Sequence, residues 1–229
     1  MTTSSTPLTI REPTAPAKGG VVVVQEAFGV NDHIVDICER VAAAGWLAVA
    51  PHLFHRNGDP QYGYEGDMSQ VMGQMQALTI PGILEDVDAA LATLAAAGVP
   101  VGRAGVVGFC LGGSVSLLTA ARRPVGAAVT FYGGGVTQAR WELPILVDEA
   151  PHLQAPWLGL YGDEDAGIPV EQVEQLRDAA AKSGQVTEIV RYPNAGHGFN
   201  CDKRDSYHAP SAADAWNRTL AWFDRWLTS

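Results

Sequence analysis

The chain has 229 residues, 47% of them hydrophobic, which suits one large α/β core better than two small domains. Twenty-five acidic residues against 15 Lys plus Arg give a net charge of −10, which argues against nucleic-acid binding and favours a substrate that needs no long-range steering. The three cysteines, Cys38, Cys110 and Cys201, are too few and odd in number for a disulfide framework, so a reducing compartment, the cytoplasm, is expected.

Met1 to about Pro7 is Ser/Thr-rich and reads as a loose lead-in. Met1 to Pro13 has neither a basic start nor an apolar run of leader length, and no stretch approaches a membrane span. Leu8 to Lys18, with Pro13 and Pro16, reads as an irregular or edge segment. Val21 to Val24 is a β-branched run of the kind found in a strand covered on both faces. A helix follows from about Asp32, capped by Asn31 or Asp32, with Ile34, Val35, Ile37, Cys38 and Val41 turned inward. Trp46 to Ala50 is the next strand, closed by Pro51.

His52 to Thr79 is the least regular stretch and reads as a long loop or small helices forming a lid over the site. His52 and His55 have no third partner at ligand spacing, so no metal is expected. Pro81 opens a helix whose apolar side is Ile83, Leu84, Val87, Ala90, Leu91 and Leu94. Gly126 to Phe131 is a buried strand, and Tyr132-Gly133-Gly134-Gly135 after it lacks the lysine and serine of a phosphate loop. Gln138 to Ala155 is mostly connection. Trp157 to Tyr161 is a strand, Pro169 to Ser183 a helix, Val186 to Tyr192 the last strand, and Ala212 to Leu227 a core-facing helix. This alternation predicts a single α/β domain with a mostly parallel sheet and helices on both faces. A monomer or small homo-oligomer is expected.

The chemistry centres on Gly108-Phe109-Cys110-Leu111-Gly112. A short strand, Ala104 to Val107, turns at once into a helix, and small residues on both sides let the two backbones meet. Cysteine stands at the nucleophile position, at a helix N-terminus whose dipole favours negative charge. His197, between Gly196 and Gly198, is the candidate base, and Asp165 or Asp163 the acid behind it, with Asp165 preferred. Nucleophile, acid, histidine is the chain order of the α/β-hydrolase fold. The oxyanion hole is expected from the N–H groups of Leu111 and Ala27. Glu26, just after the first buried strand, should lie beside Cys110 and disfavour the thiolate.

Gln25-Glu26-Ala27-Phe28-Gly29-Val30-Asn31, the Cys110 elbow, Phe131-Tyr132-Gly133, Gly162-x-x-Asp165 with Pro169, and Gly196-His197-Gly198-Phe199 together resemble the dienelactone hydrolase family. The resemblance spans about residues 20 to 227. It implies a Cys110–His197–Asp165 triad, Glu26 hydrogen-bonded to the thiol, and hydrolysis of lactones or esters through an acyl-cysteine intermediate without a cofactor. It also implies two arginines on the substrate carboxylate, and here the sequence departs. No Lys or Arg occurs between Arg56 and Arg103, and the position four past His197 is Cys201. Lys203 and Arg204 lie beyond the matching position. The departure predicts a neutral substrate. The other readings are a non-catalytic ligand-binding protein of the same fold and a thiol redox sensor built on Cys110 and Cys201.

Overall fold

Seven strands form one sheet: β1 (Leu8–Arg11), β2 (Gly20–Val24), β3 (Leu47–Pro51), β4 (Ala104–Phe109), β5 (Ala127–Phe131), β6 (Trp157–Gly162) and β7 (Thr187–Tyr192). Their order across the sheet is β1-β3-β2-β4-β5-β6-β7. The coordinates are a computed structural model describing residues 6–65, 68–140 and 142–228. β1 runs antiparallel to β3, and the other neighbours are parallel. β2 to β6 are buried throughout, which is why they read as apolar runs without alternation.

Seven α-helices and four short 3-10 turns complete the described fold, the α-helices being α1 (Asp32–Ala43), α2 (Met68–Gln76), α3 (Ile80–Ala96), α4 (Leu111–Arg122), α5 (Leu146–Glu149), α6 (Val170–Ala180) and α7 (Ala209–Leu227). α1 and α7 share one face of the sheet, where the Arg40 guanidinium lies 4.0 Å from the Trp216 ring centroid. α3, α4, α5 and α6 cover the other, tied by Arg123–Asp88 and Arg122–Glu149 ion pairs. Asn31 caps α1 by accepting from the Ile34 N–H, and Thr79 caps α3 through the Gly82 N–H.

Several boundaries differ from the sequence expectation, for physical reasons. Pro51 lies inside β3, not after it, because it pairs with Leu8 on the β1 side, while the β2 register ends at Val49. α7 starts at Ala209, since Pro210 is tolerated in a first turn. α5, four residues long, is too short to show a period. Residues 1–5 of the expected loose lead-in lie outside the described residues. Thr6 and Pro7 are tied down, the Thr6 hydroxyl donating to Asp86 and the Pro7 carbonyl accepting from the His52 N–H.

His52 and His55 have structural partners. His52 bridges Asp59 and Thr9 at 2.6 and 2.9 Å, and His55 contacts the buried Asp86 at 3.0 Å. Asp86 also receives Arg56 at 2.7 Å, so the segment after β3 is anchored to α3.

Candidate active site

The chain runs from β2 to β3 in one direction and then crosses back to β4 on the other side of β2. This places the crevice at the carboxyl ends of β2 and β4 at a switch point of the sheet, where ligands of such folds bind. Glu26 and Ala27 follow β2, Cys110 follows β4, Asp165 follows β6 and His197 follows β7.

Cys110 has φ 54° and ψ −113°, a strained conformation for a side-chain-bearing residue. The Cys110 N–H donates to the Phe131 carbonyl, which fixes the turn. The turn closes only because its flanks are glycine. A Cβ on Gly108 would sit 1.8 Å from the Gly112 carbonyl oxygen, and one on Gly112 would sit 2.3 Å from that of Val24. Behind the elbow, the Thr130 hydroxyl receives the Trp157 indole N–H and donates to the Gly113 carbonyl. Gly108→Ala should therefore cost about 3 kcal/mol or more. A thermal melt reads this directly, and a wild-type Tm would show that the turn can relax.

His197 Nδ1 lies 2.6 Å from Asp165 Oδ2, and the Gly167 N–H holds the other Asp165 oxygen at 2.9 Å. Asp163 is committed elsewhere, to a two-bond pair with Arg191 at 2.7 and 2.8 Å. The imidazole is pushed up to about 10. Burial opposes its charge, but the charge of Cys110 and hydrogen bonds to Asp165 and Cys110 outweigh burial. Among the described residues, no backbone carbonyl takes the N–H of Leu111 or Ala27, the two expected oxyanion donors.

Glu26 is fully buried near this centre, but its expected hydrogen bond to the Cys110 thiol is not formed. Oε2 accepts from the Tyr64 hydroxyl at 2.9 Å, and Oε1 faces Arg204 at 3.6 Å. The reason is competition: a phenol and a cation are better partners for a buried carboxylate than a thiol. Arg204 also packs on Gly198, the neighbour of His197. Cys201 is fully buried, and burial raises the pKa of its thiol.

A small pocket opens over Cys110 and His197, walled by Met75, Leu111, Ser114, Leu143 and the Gly134–Gly135 turn. Met75 comes from α2, so the expected lid segment does border the site; its Gly66 and Asp67 lie outside the described residues. Sequence reasoning missed Arg140, which also lines the pocket. Its guanidinium donates to the Gly167 carbonyl at 3.0 Å and lies along Gly134. Among the described residues it has no acidic partner. Nothing in the pattern around residue 140 marks it, because its position depends on a loop path.

The family model for the dienelactone hydrolase family matches residues 8–227. The chain belongs to the dienelactone hydrolase family. An Escherichia coli protein named "Putative carboxymethylenebutenolidase" is 43% identical over 208 residues, which cover 90% of this chain and 76% of that one. A Bradyrhizobium protein named "Probable 2-oxo-3-(5-oxofuran-2-ylidene)propanoate lactonase" is 30% identical over 90% of this chain and 83% of its own length. A crystal structure from Klebsiella pneumoniae, named "Putative Dienelactone Hydrolase", superimposes with a TM-score of 0.88 at 40% identity, covering 96% of this chain and 93% of that one. This dienelactone hydrolase family member is thus an α/β-hydrolase of the lactone- and ester-cleaving kind, acting on a small molecule. No described helix is long and apolar enough to cross a membrane.

Proposed function

We propose that the chain hydrolyses lactones or esters through an acyl-cysteine intermediate on Cys110, with His197 as base and acid and Asp165 orienting it. The supporting observation is the strained Cys110 at the start of α4, with the His197–Asp165 pair beside it in one pocket. His197 takes the Cys110 thiol proton as the sulfur attacks the acyl carbon, and the N–H groups of Leu111 and Ala27 receive the oxyanion. The bond to the leaving alkoxide breaks as His197 delivers its proton to that oxygen. His197 then takes a proton from water, the hydroxide attacks the thioester, and the acid product leaves with the cysteine restored. In a lactone the alcohol and the acyl group stay in one molecule throughout, and the product is a single hydroxy acid. The triad as drawn calls for no cofactor. Glu26 acts in this reading as a positioning residue. It holds Arg204 against the Gly198 turn and so sets the place of His197. The cytoplasm remains the proposed compartment, on the three free cysteines.

Arg140 changes the expectation of a neutral substrate. That expectation rested on two positions without a cation, but Arg140 brings one to the pocket wall from a third segment. We extend the reading to lactones carrying a carboxylate, the group that the names of the relatives suggest. Guanidinium hydrogen bonds to a carboxylate are charge-assisted and can be two-pronged. Arg140→Gln should lower the ratio of kcat/KM for a carboxylated lactone to that for its neutral ester by about tenfold. Because a ratio is read, general loosening of the Gly167 loop cancels. An unchanged ratio would remove Arg140 from substrate recognition and restore the neutral reading.

A further inference from the structure

Around Glu26, on the side that the Tyr64 hydroxyl does not occupy, lies a second cluster, whose other two members the proposed reaction does not use. Glu26 enters it from the loop after β2, His33 from the first turn of α1, and Cys201 from the segment after β7. One ligating atom from each lies within 4.8 Å of the other two. All three residues are buried: Glu26 and Cys201 are 0% exposed and His33 is 4%. Glu26 Oε1 and His33 Nε2 have no hydrogen-bond partner. A buried polar atom left unpartnered costs about 1–3 kcal/mol, and a common occupant would satisfy two such groups beside one thiol.

The chemistry of the three atoms narrows what that occupant is. A carboxylate oxygen, an imidazole nitrogen and a sulfur form a ligand set for a borderline-soft divalent cation such as zinc. Hard cations such as calcium and magnesium take oxygen sets instead. Burial lowers the pKa of His33, which leaves its imidazole neutral and able to coordinate. Burial raises that of Cys201, so without a cation the sulfur keeps its proton. The Tyr64 hydroxyl on Glu26 Oε2 fixes the carboxylate from behind and leaves Oε1 toward the cluster. The cluster lies near the surface on its His33 side. His33 borders two surface clefts, one shared with Asn200 and Asp202, the other with Tyr64 and Lys203.

Arg204 is the opposing charge. Its nearest nitrogen is 3.6 Å from Glu26 Oε1, and that nitrogen makes no hydrogen bond. The side chain is 21% exposed, so it can turn outward. A dication with one carboxylate and one thiolate is neutral, which leaves Arg204 no worse than a surface cation. Ligand atoms on a tetrahedral zinc stand roughly 3.5 Å apart, so no pair need close by more than about an ångström.

We infer that Glu26, His33 and Cys201 form a binding site for one zinc-like divalent cation, with a solvent molecule completing its coordination. On binding, the Cys201 S–H bond breaks, its electron pair goes to the metal, and one proton leaves to solvent. No electron is transferred.

The test uses cobalt(II) and zinc(II) on the full chain carrying Cys110→Ala, which removes the partly exposed thiol of the active site. One equivalent of cobalt should give a near-ultraviolet sulfur-to-cobalt charge-transfer band, and one equivalent of zinc should abolish it. Adding Cys201→Ser should eliminate the band. His33→Gln, which keeps the shape of the site, should weaken cobalt binding by at least about tenfold. Zinc should also raise the Tm of Cys110→Ala, and not that of the His33→Gln double variant. No band in Cys110→Ala, a band that survives Cys201→Ser, or unchanged affinity in His33→Gln would overturn the site. None of these readouts is ester turnover, so they stand or fall apart from the proposed reaction.

Discussion

Cys110→Ala is expected to lower ester and lactone hydrolysis by at least about 10⁴-fold while leaving the fold and its Tm nearly unchanged. The elbow accepts any small side chain at this position, because the clashes that define it fall on Gly108 and Gly112 and not on Cys110. What is lost is the sulfur that forms the covalent bond. His197 and the N–H groups of Leu111 and Ala27 would remain, and together they supply only the weak residual catalysis of a polarised carbonyl and a general base. Cys38→Ala provides the contrast. Cys38 is buried in α1, and burial pushes its thiol up to about 12, so it is inert and its loss should leave most activity. Purified Cys110→Ala that kept more than roughly a hundredth of the wild-type kcat/KM would show that the covalent route is not the main one.

Asp165→Asn is expected to cost about 10³-fold in kcat, and Asp163→Asn less than about threefold. The two aspartates stand two residues apart on one loop, yet their partners differ. Asp165 is buried and holds His197 Nδ1 at 2.6 Å, whereas Asp163 is salt-bridged to Arg191 on β7. An asparagine at 165 can present its NH2 to Nδ1. That selects the imidazole tautomer with its proton on Nε2, the wrong one for taking a proton on the sulfur side. The carboxylate also stabilises the imidazolium, and an amide cannot. Steady-state kinetics on both variants, with Tm as a check on folding, separate the roles. Equal losses from the two substitutions would mean that the loop matters as a whole and that neither carboxylate is the orienting group.

The elbow was legible because its constraint is local. Gly-x-Cys-x-Gly between an apolar strand and a helix has few other solutions, and the close Gly108–Gly112 approach bears out that spacing argument. The order of strands and helices was legible for the same kind of reason, since β2 to β6 are buried on both faces and need apolar runs. Side chains whose partners come from loops were not legible. Glu26 was expected on the thiol, but Tyr64, 38 residues away in an irregular stretch, reaches it. Arg140 sits in a segment with no periodicity, and only tertiary packing carries it over the pocket. His33 read as one more helix residue. The chain brings Glu26 and Cys201 beside it from the ends of two different strands, which no spacing rule detects.

The proposed chemistry turns on a covalent intermediate at Cys110. An aryl ester with a hindered acyl group should release a burst of about one equivalent of phenol per chain. Acid quenching during that burst, followed by intact-mass and peptide mapping, should find one acyl group, in thioester linkage, on the peptide that contains Cys110. A burst whose acyl group maps to another side chain, such as Ser114 in the pocket wall, or steady turnover with Cys110 never acylated, would contradict the account.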